Sequence, residues 1–332
     1  MLDSGYSLEN NRLRIGILGA AIIAERSIIP AILGLPGQYE LAGVASRSDA
    51  RAVMFSEKFR VRTYRDYASL VLDPNIDCIY IPLPNSLHFP WAKLSLLNQK
   101  HIIVEKPLCS TVNETEELIT LARGRGLALF ENFQYRFHRR MKSLRALVSQ
   151  NIIGELRGIY STFAFPPIND VSNIRYQKDL GGGALMDAGC YPLSISYDFF
   201  GENLNVIKSK LFYEDEFQVD IGGIGYLEER LTGRFAIINF GFSDPYECSL
   251  ELVGSRGRVH CPRIFTAPPD LKTTINVRLL NNGYSLEEEP DNQSVRMLEY
   301  FYFLTLNSRS KRLEYERCLA LANLREQIKN PS

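Results

Sequence analysis

"LRIGILGAAIIAERS", residues 13–27, decides the fold. A short apolar run meets Gly19, and an amphipathic stretch begins at once. A strand feeding a glycine turn and then a helix offers backbone N–H groups and a positive helix end to a pyrophosphate. Gly19, Ala21 and Ala24 stand at the three fingerprint positions, with Ile22 and Ile23 between the last two. Alanine at the second position adds a methyl where backbone and phosphate come close, so the motif alone also reads as a plain strand–helix turn.

Outward from this stretch, the chain keeps one rhythm as far as Asn132: "YELAGVAS", "IDCIYI", "HIIVE" and "LALFEN" alternate with amphipathic stretches such as "DARAVMFSEKF" and "VNETEELITLARG". Repeated strand–helix units predict a parallel sheet covered on both faces. A helix is expected around 139–150. The rhythm then changes to strands without regular crossovers, "LRGIYSTFAF", "NVIKSKLFYE", "VDIGGIGYLEE", "RFAIINFGF", "CSLELVGSRGRVHC" and "TTINVRLL", which predicts an open, mostly antiparallel sheet. The fold class is therefore α/β, with a dinucleotide-binding domain over 1–132 and an α+β domain over 133–332. The terminal helix, about 313–328, is expected to pack back on the first domain.

The bulk numbers agree with a two-domain globular protein: 332 residues, 45% hydrophobic and 23% charged. Lys+Arg and Asp+Glu both count 38, and no basic stretch is long enough to follow a phosphate backbone. Nucleic acid and anionic membranes are thereby disfavoured as partners. "MLDSGYSLENNR" lacks the order of a signal peptide, and no apolar run reaches the length of a membrane span, so the cytoplasm is the expected location. Cysteines 78, 109, 190, 248, 261 and 318 show no C-x-x-C spacing, and the four histidines form no ligand pattern. Reduced thiols and no metal are expected.

The second strand runs out into "ASRSDAR". An acidic residue there takes ribose hydroxyls, whereas Ser46 and Arg47 suit a 2′-phosphate, so NADP(H) is expected over NAD(H). A solvated loop arginine is the competing reading.

Three further stretches carry a resemblance. "PNSLH" at 84–88, "KHIIVEKP" at 100–107 and "GGGALMDAGCYP" at 181–192, in this order after "GILGAAIIA", resemble the glucose-fructose oxidoreductase and inositol dehydrogenase (Gfo/Idh/MocA) family over nearly the whole chain. The resemblance implies a Rossmann domain followed by an α+β domain whose open sheet often forms an oligomer interface, giving a homodimer or homotetramer. Within the family, "ENFQYRFH", "FPPINDVSNIRYQKDLGGG" and "GSRGRVHCPRIFTAPP" look most like the NADPH-dependent dTDP-sugar 3-ketoreductases of deoxysugar biosynthesis. By family position, Pro82, Leu83, Asn85, His88, Glu105, Lys106 and Asn132 join the glycine loop at the cofactor; His88 could equally cap the helix that follows it.

Hydride transfer to a ketone needs a proton donor and a positive group at its oxygen. Lys106, at the end of the fifth strand, sits where open parallel sheets place ligands, and its ammonium can depress a neighbouring phenol. In a helix, Asp187 and Tyr191 share a face one turn apart, while Pro192 disfavours regular helix at Tyr191. Much of the family has histidine at the second of these places. Tyrosine is chiefly an acid, which favours ketone reduction with Tyr191 as donor beside Lys106. For Asp187, orienting sugar hydroxyls, orienting Lys106 and a plain helix-terminus carboxylate all stay open. Arg175, Tyr176 and Lys178 are expected to clamp a diphosphate or stack on thymine, unless they are ordinary residues of a mobile loop. The glycines at 181–183 read as a flexible lead into the helix.

The expected activity is NADPH-dependent reduction of the C3 ketone of a nucleotide-linked keto-deoxyhexose. Two alternatives are an NADP-dependent dehydrogenase of a free sugar or dihydrodiol, and a non-catalytic NADP-binding sensor or regulator.

Overall fold

The structure, a computed structural model, describes residues 12–331; the first eleven residues of the stretch read above for a signal peptide lie outside the described residues. Six parallel strands form the first sheet: β1 (Leu13–Leu18), β2 (Tyr39–Ala45), β3 (Thr63–Tyr64), β4 (Cys78–Ile81), β5 (His101–Val104) and β6 (Leu129–Glu131). Their spatial order is β3-β2-β1-β4-β5-β6. The chain reverses direction of winding between β1 and β4, the place where such sheets open a crevice at the strands' carboxyl ends. Around the sheet lie α1 (Ile29–Leu33), α2 (Asp49–Phe59), α3 (Tyr67–Val71), α4 (His88–Leu97) and α5 (Val112–Arg125). The strand residues are apolar on both sides because both faces are covered: Ile15, Ile17, Ile79, Tyr80, Ile102 and Ile103 are fully buried.

After α6 (Arg139–Ser149), the second sheet comprises β7 (Leu156–Ala164), with α7 (Cys190–Phe200) following it in the chain, then β8 (Leu204–Tyr213), β9 (Asp220–Glu229), β10 (Phe235–Gly241), β11 (Glu247–Gly254), β12 (Gly257–Pro262), β13 (Thr273–Leu279) and β14 (Gly283–Glu288). Their order is β14-β13-β12-β11-β7-β10-β9-β8, antiparallel except for the β7–β10 pair. One face packs on α7 and the end of the chain around Leu193, Leu227, Ile238 and Leu250. On the opposite face Tyr160, Ile224, Tyr226 and Ile237 are exposed, and the register sets Ile237 between Tyr160 and Tyr226.

The chain ends in α8 (Gln293–Leu306) and α9 (Ser308–Lys329). The terminal helix extends beyond the expected 313–328, and α8 was not anticipated. It docks on the first domain through Met297, Leu298, Phe301 and Leu304. α9 touches both domains: Arg325 reaches Glu131 Oε1 at 3.3 Å, and Gln327 Oε1 accepts from the Val206 N–H at 2.9 Å. All six cysteines are free and buried, and no helix among the described residues is long and apolar enough to cross a membrane.

Candidate active site

The glycine turn is set by a close approach. Gly19 has φ +107, and a side chain there would come within 2.8 Å of Leu83 Cδ2; its N–H donates to Ala45 O at 2.8 Å. The ends of β1, β2 and β4 thus converge on one glycine. Ile22 and Ile23 stand exposed at the helix start, while Ala24 is buried, and the first turns over Ala24–Ile28 are π-helical. Ser46 Oγ accepts from the Ser48 N–H, and Arg47 is exposed with no partner among the described residues. Arg51, which the sequence reading passed over, donates through Nε and Nη2 to Ala20 O at 3.0 and 2.6 Å. Its signal was that it is the second arginine of the "SRSDAR" run that follows β2.

Across the crevice, β5 delivers Lys106 into a turn with a cis Lys106–Pro107 peptide. Lys106 Nζ donates to Asp187 Oδ1 and to Asp187 O, both at 2.8 Å, and stands 4.9 Å from the Tyr191 ring centroid. Asp187 Oδ2 accepts from Arg175 Nε at 2.6 Å. Burial alone would lower the lysine and raise the carboxyl; the ion pair reverses both, leaving Lys106 above its ordinary range and Asp187 at about 2. Two cations share one carboxylate, so the cluster carries a net positive charge.

Tyr191 packs edge-on against Phe133 and Phe163 at 5.5 and 5.1 Å and tilted against Phe265 at 5.2 Å. Nothing among the described residues hydrogen-bonds its hydroxyl. Burial pushes the phenol above 10, and Lys106 opposes this without overcoming it. The expectation of a depressed phenol is therefore corrected.

The helix carrying both residues is irregular, but the irregularity lies before Tyr191 and not at it as Pro192 led us to expect: Tyr191 is in regular α-helix. Leu185–Gly189 is a π turn, after which α7 begins. In a π turn the carbonyl of Asp187 would look to residue 192 for its donor, and proline has none; Lys106 Nζ is on that carbonyl. The three glycines before the turn are not a flexible lead. Gly181 and Gly183 have φ +75 and +112, and a side chain on Gly181 would press on Asn85 Cβ at 2.9 Å. One on Gly182 would overlap the Arg175 carbonyl, and one on Gly183 the Asp220 carboxylate. Asp220 Oδ2 accepts from the Leu185 N–H at 2.6 Å, capping the turn.

Other expected residues are held by the protein itself. Asn85 Nδ2 donates to Gly181 O at 2.8 Å, a bond between the two domains. His88 is fully buried at the start of α4, with Nδ1 and Nε2 each 2.8 Å from a carbonyl, of Pro107 and Leu83. It sits between the Leu83 loop and the Lys106 turn; burial takes its pKa down to about 4, and the neutral ring donates its one N–H to one of the two carbonyls. Tyr176 stacks on Phe217 at 4.3 Å and accepts from the Ile168 N–H, so its ring is not free to stack on a base. Arg175 is committed to Asp187. Lys178 is exposed and lines a separate groove with Tyr176 and Phe217.

Glu105 Oε1 accepts from Tyr80 Oη at 2.6 Å and Asn132 Nδ2 at 2.7 Å, and burial raises its pKa. Both Glu105 and Asn132 line a cavity of about 340 Å³ that Tyr191 also faces. Its other walls come from Ile23 and Arg26 after the glycine turn, from Phe265–Pro269, and from Asn292–Ser294; none of the residues on the last two segments was anticipated. Asn132 Oδ1 is buried with no partner. An orphaned acceptor on this wall, together with the bare backbone at Gly19, fits a dinucleotide whose reactive end carries a hydrogen-bond donor.

Comparison with known proteins agrees with this geometry. Residues 13–133 match the family model described as an oxidoreductase family with an NAD-binding Rossmann fold, and residues 141–260 match the GFO/IDH/MocA C-terminal domain. A dTDP-3,4-didehydro-2,6-dideoxy-alpha-D-glucose 3-reductase of Streptomyces antibioticus is 36% identical over 87% of this chain and 88% of that protein. D-xylose 1-dehydrogenase (NADP(+)) 2 of Haloferax volcanii is 32% identical over 76% of this chain and 77% of its own length. The crystal structure of a 3-ketoreductase from Actinomadura kijaniata with NADP and TDP-benzene superposes with a TM-score of 0.91 at 32% identity, covering 96% of this chain and 97% of the other. The chain belongs to the GFO/IDH/MocA oxidoreductase family.

Proposed function

We propose that the protein uses NADPH to reduce the C3 ketone of a dTDP-linked keto-deoxyhexose. The observation that carries the reading is the pairing of Tyr191, a phenol with a free hydroxyl on the cavity wall, with the doubly anchored Lys106 4.9 Å from its ring centroid; the 3-reductase and the TDP-bound ketoreductase among its relatives supply the substrate class. The crevice residues named above, from Gly19 to Ala24 with Ser46, Arg47, Arg51, Pro82, Leu83 and Asn132, hold the dinucleotide. When bound, the reduced nicotinamide supplies hydride from its C4.

Tyr191 gives its proton to the ketone oxygen as negative charge develops there. Its raised pKa keeps it protonated through the neutral range, which suits an acid rather than a base. Lys106 contributes fixed positive charge beside that oxygen. Asp187 orients Lys106 and is itself oriented by Arg175, and the second cation leaves the cluster positive, so the carboxylate does not cancel the field. Gly181 and Asn85 hold this cluster against the cofactor domain. Copies of the chain associate through the exposed face of the second sheet: an apolar strip of Tyr160, Ile224, Tyr226 and Ile237 lies between Lys208 and Lys210 on one side and Glu251, itself 3.1 Å from Arg258, on the other, and a two-fold axis along the strands sets lysine against glutamate.

The test compares NADPH consumption with a dTDP-3,4-diketo-2,6-dideoxyhexose against NADP⁺ reduction with xylose, glucose and a dihydrodiol. Turnover confined to the second set would replace the proposal with a free-sugar or diol dehydrogenase. NADPH binding with no turnover in either set would point to a sensor.

A further inference from the structure

Tyr191 Oη has no hydrogen-bond partner among the described residues, so the direction in which the phenol points is set by what grips its ring. Phe133, Phe163 and Phe265 pack on that ring, and a fourth, Tyr135, stands 6.1 Å from it. An aromatic pair carries a geometric preference of only about 0.5–1.5 kcal/mol. A fixed phenol therefore needs fixed neighbours.

Two of those neighbours are held from behind by a buried ring of polar groups. Tyr135 Oη donates to Asp198 Oδ2 at 2.9 Å and lies 2.6 Å from Ser194 Oγ. A phenol has one hydrogen to give, so Ser194 is the donor in the second bond. Arg317, far along the chain on α9, donates through Nη2 to Ser194 Oγ, and its Nη1 stands 2.9 Å from Asp198 Oδ1. The bonds run from Arg317 to Ser194 to Tyr135 to Asp198, and the ion pair closes the ring. The same guanidinium lies 5.7 Å from the Phe133 ring centroid. Arg136, the other cation of this seam, is taken by Glu314 at 2.8 and 3.0 Å and stays 3.9 Å from Asp198, which leaves Arg317 as the main counter-ion of that carboxylate. Tyr191, Ser194 and Asp198 stand at i, i+3 and i+7 of α7 and share one face. The phenol and its brace are parts of one helix surface.

We infer that Arg317 is a positioning residue for Tyr191, acting through Ser194 and Asp198 on α7 and through the rings of Tyr135 and Phe133. The inference rests on the proposed function for the role of Tyr191. Arg317 is not among the residues that line the cavity, so its effect on turnover passes through the phenol. The last helix of the chain thereby sets the aim of an acid carried on α7.

A double-mutant cycle tests this, with single-turnover oxidation of bound NADPH by a dTDP-3,4-diketo-2,6-dideoxyhexose as the readout. Arg317→Lys keeps the charge and gives up the planar fork; hydride transfer should slow about 5- to 50-fold while NADPH affinity stays within about threefold. Tyr135→Phe keeps the ring and loses the bond to Asp198, with a slowing of about 3- to 10-fold. In a Tyr191→Phe background each substitution should cost less than about twofold more, because the group being aimed is gone. The same loss in both backgrounds would make Arg317 merely structural and overturn the inference. So would wild-type rates in both single variants. If Arg317→Lys does not fold, the Tyr135→Phe cycle decides alone: a loss that vanishes in Tyr191→Phe supports the inference, and one that persists overturns it. A Tyr191→Phe rate near that of wild type would instead bring down the proposed function, and with it the group that Arg317 positions.

Discussion

Two glycine turns shape the site, and they face different neighbours. At Gly19 the missing side chain makes room for the flexible end of Leu83, whose Cδ2 would stand 2.8 Å from a side chain there. At Gly181–Gly183 the missing side chains let protein backbone and carboxylate close in: Asn85 and Ser86 of the first domain, the Arg175 carbonyl and Asp220. One turn meets the flexible end of a side chain, the other the protein's own backbone and a carboxylate. Glycine in sequence marks close approach without saying what approaches.

Substitutions should separate the two. Gly182→Ala forces a methyl into the Arg175 carbonyl and is expected to cost about 2–4 kcal/mol in stability, read by denaturant unfolding, with NADPH affinity of the folded fraction little changed. If that variant were as stable as wild type, the second turn would be loose after all. The same turn positions Arg175 on Asp187, and this has a pH signature. A carboxyl held at about 2 rather than the ordinary 3.8 contributes stability that is complete above about pH 4 and lost as pH falls through 2. The contribution is on the order of 2 kcal/mol. Asp187→Asn should accordingly show a shallower loss of stability between pH 5 and 2; an unchanged slope would detach Asp187 from the ion pairs.

At the first turn, Gly19→Ala meets a positive φ and Leu83 Cδ2, with about 1–2 kcal/mol of strain and an NADPH affinity about tenfold weaker. Measured by fluorescence titration, a loss of stability with no loss of NADPH affinity would move Gly19 to the structural class. The smallest effect concerns cofactor choice: Arg47→Ala should weaken NADPH by about threefold to tenfold and NADH hardly at all.

How much of this the sequence displays depends on how local the cause is. The strand–helix rhythm is local, and the parallel sheet, the position of Lys106 after β5 and the proximity of Asp187 and Tyr191 follow from it. β14 is a polar edge strand with little burial, so it carries no alternation to read. α8 is aromatic-rich and borrows its helical fate from packing on the first domain. The π turn at Leu185–Gly189 has no periodic signature short enough to detect, although Pro192 hints at it. Partner choice is the least local property. Asn85 meets Gly181 across 96 residues, His88 lies between two carbonyls, and Tyr176 finds Phe217; residue type could not name the partner in any of these cases. Arg26 and the 265–269 and 292–294 segments became visible only when the chain had brought them together.

The account turns on Tyr191 as the proton donor, and single-turnover oxidation of bound NADPH by the keto-sugar in Tyr191→Phe tests it most directly. The phenyl ring keeps the packing on Phe133, Phe163 and Phe265, so NADPH affinity should stay within about threefold while the hydride-transfer rate falls about 10²- to 10⁴-fold. A rate near that of wild type, with NADPH still bound, would take Tyr191 out of the mechanism.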